Sequence, residues 1–181
     1  MILVDKTALL VIDIINPFDF KHGETLAHHT KKIINPLRNL IKCCRQQKVP
    51  VIFINDHYNL WKADYREIIK RCRNNLSEEV IDALQPLEDD FFLIKPKHSA
   101  FYGTALNTLL HHLDVENLII TGIAGNICVL FTANDAYMRE FNLYIPEDTI
   151  ASVSNKDNQY ALTMMKNVLK AKIEKAENII R

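Results

Sequence analysis

Three reactive side chains stand at or just beyond the ends of apolar segments in this sequence. Asp13 closes the run TALLVID, Lys95 closes FFLIK, and Cys128 begins the helical stretch that follows NLIITG. A cysteine attacks as its thiolate, and a helix amino terminus or a nearby ammonium lowers the pKa of the thiol. An aspartate can take the thiol proton and return it to a leaving amine. Together the three residues predict acyl-transfer chemistry.

Each of these residues also has an ordinary structural explanation. Buried cysteines are mostly small hydrophobic residues, an aspartate at a strand end often caps the next turn, and a lysine before Pro96 is often a solvated loop charge. Cys43, Cys44 and Cys72 fall in helical patterns without CxxC spacing, so we expect free thiols in a reducing compartment. The catalytic interpretation therefore requires that Asp13, Lys95 and Cys128 share one cleft.

Apolar segments alternate with helical patterns along the chain. Strands are predicted at 7–13, 49–55, 91–95, 117–122 and 142–146, and helical patterns from 30 onward and at 78–84, 104–113, 128–141 and 156–174. Strands separated by helices pair in parallel through right-handed crossovers, with helices on both faces of the sheet. Because ligands bind at the carboxyl ends of such strands, Asp13, Lys95 and Cys128 are expected at the same edge.

Composition limits the domain organisation and the partners. Lys plus Arg equals Asp plus Glu at 22 each, so no net charge favours nucleic acid or an anionic membrane. The first apolar run is too short to span a bilayer and is predicted to be a buried strand of a cytoplasmic protein. A chain of 181 residues, 48% hydrophobic, suits one core, so we predict a single domain over 1–181.

Four segments resemble motifs of the isochorismatase-like cysteine hydrolases, which include nicotinamidases, N-carbamoylsarcosine amidase and ureidoacrylate amidohydrolases. ALLVIDIINPFDF resembles the family's opening strand with its catalytic aspartate, and KPKHSAFYGTAL resembles its lysine motif. LIITGIAGNICVLFTANDAY resembles the nucleophile motif, and IPEDTIAS resembles the strand and acidic turn that follow it. Four motifs in the right order and spacing make the resemblance specific along nearly the whole chain.

The resemblance implies roles for individual residues. Asp13 would be the general acid and base, Lys95 would orient and stabilise the thiolate, and Cys128 would be the nucleophile. It also implies a cis peptide between Ile123 and Ala124, and an oxyanion hole formed by the backbone amides of Ala124 and Cys128. The implied fold is a three-layer α/β/α, Rossmann-like arrangement with a mainly parallel six-stranded sheet in the order 3-2-1-4-5-6. The resemblance further implies a homodimer or homotetramer.

Departures from the family pattern narrow the chemistry. Nicotinamidases of this superfamily usually hold a metal with an Asp-x-His pair, whereas this sequence has Asp56 beside His57 and Tyr58 where the histidine is expected. Neighbouring side chains on an extended backbone point to opposite faces, so we predict no bound metal and no cofactor. Isochorismatases that cleave a vinyl ether generally lack the cysteine, so Cys128 favours cleavage of a carbon–nitrogen bond.

Several residues near the motifs are candidates for binding the substrate. We predict an apolar pocket lined by a set of aromatic residues: Phe18, Phe20, Trp61, Phe101 and Tyr102. His98, beside the lysine motif, is a further candidate. Ordinary core packing explains Phe18 and Phe101 equally well.

The leading hypothesis is a metal-independent hydrolase of a small amide, ureido or carbamoyl compound. The alternatives are a nicotinamidase, a non-catalytic member that binds a metabolite or protein, and a thiol-based redox protein. All three functional groups of the triad are present, which disfavours the non-catalytic alternative.

Overall fold

A parallel β-sheet forms the centre of the computed structural model, which describes residues 5–179. Its seven strands are β1 (Thr7–Ile12), β2 (Val51–Asp56), β3 (Phe91–Lys95), β4 (Asn117–Ile123), β5 (Asn142–Pro146), β6 (Ile150–Ala151) and β7 (Lys172–Glu174). The strand order is β3-β2-β1-β4-β5-β7, and β6 pairs with the end of β4. All pairs are parallel, so the carboxyl ends of β1, β2, β3 and β4 lie at one edge.

The central strand β1 shows why the sheet is covered on both faces. All six of its residues are buried, and it pairs with β2 on one side and β4 on the other. Leu9 and Val11 belong to one hydrophobic cluster, whereas Leu10 and Ile12 belong to a second. This alternation follows from the two-residue period of a strand, and it divides the core between two helical layers.

Within residues 5–179, seven α-helices form those layers. They are α1 (Gly23–Gln46), α2 (Tyr65–Cys72), α3 (Glu78–Leu84), α4 (Leu106–His112), α5 (Leu130–Tyr137), α6 (Asn155–Asn167) and α7 (Ala176–Ile179). Buried residues of α1, α2, α3 and α7 share the cluster of Leu9, and those of α4, α5 and α6 share the cluster of Leu10. The predicted three-layer α/β/α fold is confirmed. Within residues 5–179, no helix is both long enough and apolar enough to cross a bilayer.

The structure differs from the predicted elements in several details, including the start of α1 at Gly23 and the additional helix α2. The sheet has seven strands rather than six, because the two-residue β6 adds to the predicted six-strand order. The helix predicted at 156–174 ends at Asn167, and Lys170 then adopts a left-handed conformation with φ of 57°. The chain therefore turns and enters β7, which pairs with β5 at the edge of the sheet.

Candidate active site

Asp13, Lys95 and Cys128 converge at the carboxyl edge of the sheet. The Lys95 Nζ lies 2.7 Å from the Asp13 Oδ2 and 3.5 Å from the Cys128 Sγ. The Asp13 and Lys95 side chains are only 7% and 2% exposed, so the ion pair is shielded from water. The cleft that the catalytic interpretation required is therefore present in the fold.

Backbone and side-chain amides hold the loop that carries Asp13. The residue follows β1 with a left-handed φ of 49°, a conformation that aspartate tolerates better than most side chains. Its Oδ1 accepts a hydrogen bond of 2.8 Å from the Asp56 backbone N–H at the end of β2. The buried Asn55 donates to the Ile15 carbonyl at 2.6 Å and accepts from the Ile15 N–H at 3.4 Å. β2 therefore fixes both the carboxylate and the loop behind it.

The Lys95 ammonium is held by three acceptors. Besides Asp13 and Cys128, it donates to the backbone carbonyl of Lys97 at 3.1 Å, which accounts for its three hydrogens. Burial alone would lower the pKa of this group, but the negative charge of Asp13 raises it above its usual value. The Asp13 carboxylate therefore favours the cationic form of Lys95.

Cys128 lies in a π-helical turn (Gly125–Val129) that leads into α5. Burial is the main cause that raises the pKa of its thiol, the Asp13 carboxylate raises it further, and Lys95 opposes the shift. Our expectation of a lowered pKa was wrong, because burial and the adjacent carboxylate outweigh the ammonium. The resting site therefore contains a neutral thiol beside an aspartate–lysine ion pair.

The other three cysteines do not contribute to the cavity over this site. All four cysteines are free thiols, as predicted. Burial raises the pKa of Cys44 and of Cys72 to about 12 in each case. Among the four, only Cys128 lines the cavity described next.

A cavity of about 460 Å³ opens over the three residues. Besides Asp13, Lys95 and Cys128, its lining residues are Asn16, Pro17, Asp19, Phe20, Leu26, Asp56, Tyr58, Pro96, Lys97, His98, Ala124, Ile127 and Val153. Phe20 and His98 were among the sequence candidates for substrate binding. The volume suits a small organic molecule.

The structure places the other aromatic candidates elsewhere. Phe18 and Phe101 are buried in the two hydrophobic clusters, while Trp61 and Tyr102 are 65% and 61% exposed. None of the four is among the residues that line the cavity, and their role in binding the substrate stays a prediction. Phe18 and Trp61 have positive φ values of 55° and 52°, which turn their loops in ways that the sequence pattern does not specify.

Comparison with known proteins identifies the family. The isochorismatase domain matches residues 7–177. The chain is 58% identical over 173 residues to the isochorismatase family protein YaaI of Bacillus subtilis (strain 168), and the match covers 96% of each chain. The chain belongs to the isochorismatase family.

Relatives that are named for an activity are less similar in sequence. The ureidoacrylate amidohydrolase RutB of Cronobacter sakazakii is 25% identical over 174 residues, covering 80% of this chain and 74% of that protein. The crystal structure of N-carbamoylsarcosine amidase from Thermoplasma acidophilum superposes with a TM-score of 0.76 at 28% identity, covering 96% and 98% of the two chains. The nicotinamidase of Staphylococcus aureus gives a TM-score of 0.71 at 28% identity, covering 93% and 96%.

The turn before Cys128 contains a cis peptide and is supported by two side chains. The Ile123–Ala124 peptide is cis, which confirms what the resemblance implied. A side chain at Gly125 would collide with Asn158, whose Oδ1 accepts a hydrogen bond of 2.6 Å from Ser152. The Ser152 hydroxyl in turn accepts from the Asn126 N–H at 3.1 Å, so this pair of side chains supports the turn.

At the end of β2, the Asp56 Oδ1 and the His57 Nδ1 each accept a backbone hydrogen bond and do not form a pair of metal ligands. The Asp56 Oδ1 accepts from the Tyr58 N–H at 2.8 Å, and the His57 Nδ1 accepts from the Asn59 N–H at 3.0 Å. The His57 ring stacks on Trp61 with centroids 3.8 Å apart. Among residues 5–179, no group of three or more His, Cys, Asp or Glu side chains has metal-site geometry. Metal independence stays a prediction.

The support that the Asp56 backbone N–H gives to Asp13 was not predicted from the sequence. Asp56 was considered only as a metal ligand, although it closes β2 just as Asp13 closes β1. The same strand-end rule would have placed it beside the site. Tyr58 and Asn16, which also line the cavity, carried no comparable signal because they lie in irregular loops.

Proposed function

We propose that this isochorismatase-family hydrolase cleaves a carbon–nitrogen bond of a small amide, ureido or carbamoyl compound through a thioester on Cys128. The observation that carries this proposal is the contact of one buried ammonium with both a carboxylate and a thiol, at 2.7 and 3.5 Å. A buried ion pair costs desolvation energy and contributes little to stability, so its position against a cysteine in a cavity favours a chemical role.

In the first half-reaction, Asp13 acts as the base. Because the raised pKa keeps the Cys128 thiol protonated, its proton passes to Asp13 as the Sγ attacks the substrate carbonyl. The Lys95 charge stabilises the sulfur as it becomes anionic. The backbone amides of Ala124 and Cys128 donate to the developing oxyanion. The carbon–nitrogen bond then breaks, and Asp13 returns the proton to the departing nitrogen.

In the second half-reaction, water hydrolyses the thioester. Asp13, ionised again, removes a proton from the water as its oxygen attacks the thioester carbonyl. The carbon–sulfur bond breaks, and the Cys128 thiolate takes the proton back from Asp13. The cycle ends with a carboxylic acid from an amide, or with carbamic acid from a carbamoyl compound, which decomposes to ammonia and carbon dioxide.

Two relatives support this substrate class. The RutB match is named for ureidoacrylate, and the amidase match is named for N-carbamoylsarcosine. The similarity to a nicotinamidase keeps nicotinamide as a candidate substrate. The Asp56–Tyr58 loop disfavours that alternative, because the His57 Nδ1 already accepts a backbone hydrogen bond and its ring stacks on Trp61.

The test compares the wild type with Cys128→Ser on a panel of small amides, ureido and carbamoyl compounds that includes nicotinamide. Ammonia release is followed with and without a chelator. We expect chelator-insensitive release from at least one compound, falling by a factor of about 10⁴ or more in the serine variant. Cys43→Ser, which changes a partly exposed thiol outside the cavity, is the matched control and should retain full activity.

Other outcomes would overturn parts of the proposal. Release that a chelator abolishes would contradict metal independence and favour the nicotinamidase alternative. Equal release by wild type and Cys128→Ser would exclude the thioester. No release from the panel, together with binding of one of its compounds, would favour a non-catalytic member of the family.

A further inference from the structure

The segment that follows Lys95 is hydrogen-bonded to the helix that follows Cys128. The buried Ala100 N–H donates to the Thr132 Oγ1 at 2.9 Å, and the Ser99 hydroxyl donates to the Asp135 Oδ2 at 2.5 Å. Thr132 is fully buried on α5, four residues after Cys128. The Phe101 N–H also donates to the Ser99 hydroxyl, at 3.2 Å. We call residues 97–101 the lysine bracket.

The lysine bracket contacts the catalytic ammonium directly. The Lys97 carbonyl accepts one of the three ammonium hydrogens of Lys95 at 3.1 Å. The other two hydrogens are directed at Asp13 and Cys128. Because an ammonium has three donors in a fixed tetrahedral arrangement, moving the Lys97 carbonyl rotates or withdraws the hydrogen aimed at the Sγ. The π-helical turn that carries Cys128 thus continues into α5, which holds the lysine bracket through Thr132 and Asp135.

We propose that Thr132, with the Ser99–Asp135 hydrogen bond, is a positioning residue that holds the Lys95 ammonium against Cys128 through the lysine bracket. This inference rests on the function proposed above, since it assigns a role within that site. Thr132 touches neither the cavity nor the reacting atoms. The effect of Thr132 is transmitted by the Ala100 backbone N–H. Because Ala100 is fully buried, no water can replace the Thr132 hydroxyl as the acceptor of this N–H.

The variant that tests this is Thr132→Val, which preserves side-chain volume and removes the acceptor. We expect kcat to fall about tenfold and KM to stay within about twofold of the wild-type value. A loss of this size is expected when one hydrogen bond that stabilises the transition state is removed. Alkylation of Cys128 by iodoacetamide at pH 9, located by peptide mapping, should slow about tenfold and its pH profile should move upward. Thr132→Ser keeps the acceptor and should stay within about twofold of wild type.

A matched control separates positioning from general stability. Thr149 is also fully buried, and its hydroxyl donates to the Pro146 carbonyl at 2.9 Å outside the lysine bracket. Thr149→Val should lower the melting temperature by a comparable amount and leave the alkylation profile unchanged. If Thr132→Val fails to fold, Ser99→Ala tests the same bracket by removing the donor to Asp135 and the acceptor for Phe101.

The alkylation readout distinguishes failure of this inference from failure of the proposed function. A folded Thr132→Val protein with the wild-type alkylation profile would overturn the positioning role, even if the wild type hydrolyses a panel compound. Equal shifts in the Thr132→Val and Thr149→Val proteins would likewise leave only a structural role. A shift confined to the bracket variants, in a protein that hydrolyses nothing on the panel, would support the bracket and contradict the hydrolase.

Discussion

The cavity has a floor and a rim that are built in different ways. The floor consists of Asp13, Lys95 and Cys128, which are connected to one another and to backbone groups of β2 and the lysine bracket. The rim consists of exposed residues: Asp19, Phe20, Lys97, His98 and Ile127. Rim contacts are long or exposed, such as the 3.6 Å pair of Asp19 with Arg71 and the tilted ring contact of His98 with Phe131.

This difference suggests that the floor residues carry out the reaction and the rim residues select the substrate. Groups that are buried and hydrogen-bonded hold one geometry, which acyl transfer requires to within a fraction of an ångström. Exposed side chains on loops can be exchanged with little cost in folding free energy. Floor substitutions should therefore reduce kcat and stability, whereas rim substitutions should change KM.

The largest effect is expected at the floor, in Asp13→Asn. In the proposed mechanism this variant loses the acid and base of both half-reactions, so we expect activity to fall by about 10³-fold or more. It also leaves the buried Lys95 ammonium without its carboxylate, which should lower the free energy of unfolding by about 3 kcal/mol. Denaturant unfolding and steady-state kinetics measure the two losses separately.

Asp19→Asn is the matched control on the same loop. Its ion pair with Arg71 is exposed, so the free energy of unfolding should change by less than about 0.5 kcal/mol. The double variant Asp13→Asn with Lys95→Gln should regain part of the lost stability and none of the activity. Equal destabilisation by the two single Asp→Asn changes would contradict the distinction between floor and rim.

A smaller effect is expected at the rim, in Phe20→Ala. Phe20 is half exposed and contributes apolar surface to the cavity, so we expect KM to rise about three- to tenfold while kcat stays within about twofold. Tyr102→Ala removes an exposed aromatic ring that does not line the cavity and should leave both constants unchanged. A rise in KM for Tyr102→Ala alone would favour the aromatic lining predicted from sequence.

The sequence predicted the floor better than the rim. Asp13 and Lys95 end apolar strands, and Cys128 follows another after a short turn, so strand patterns and the parallel-sheet rule were enough to bring them together. Rim positions depend on irregular loops in which Phe18, Tyr58 and Trp61 take positive φ values. A periodic pattern carries no information about which way such loops turn a side chain.

A similar contrast holds for the fold. Strands β1 and β3 and helix α3 have continuous or periodic apolar residues, and the ends of each element were predicted to within one residue. β7 was predicted as the end of a helix, because its three residues, Lys172 to Glu174, have too little pattern to separate strand from helix. Pairing with β5 decides the conformation, and sequence alone does not supply that contact.

The most direct test of the thioester is partitioning with hydroxylamine during turnover of a panel substrate. A thioester on Cys128 transfers its acyl group to hydroxylamine as well as to water, so a hydroxamic acid should form, or hydroxyurea from a carbamoyl substrate. We expect this product to increase with hydroxylamine concentration in the wild type and to be absent in Cys128→Ser. Turnover that yields only the water product at every hydroxylamine concentration, with Cys128→Ser retaining the wild-type rate, would contradict the account.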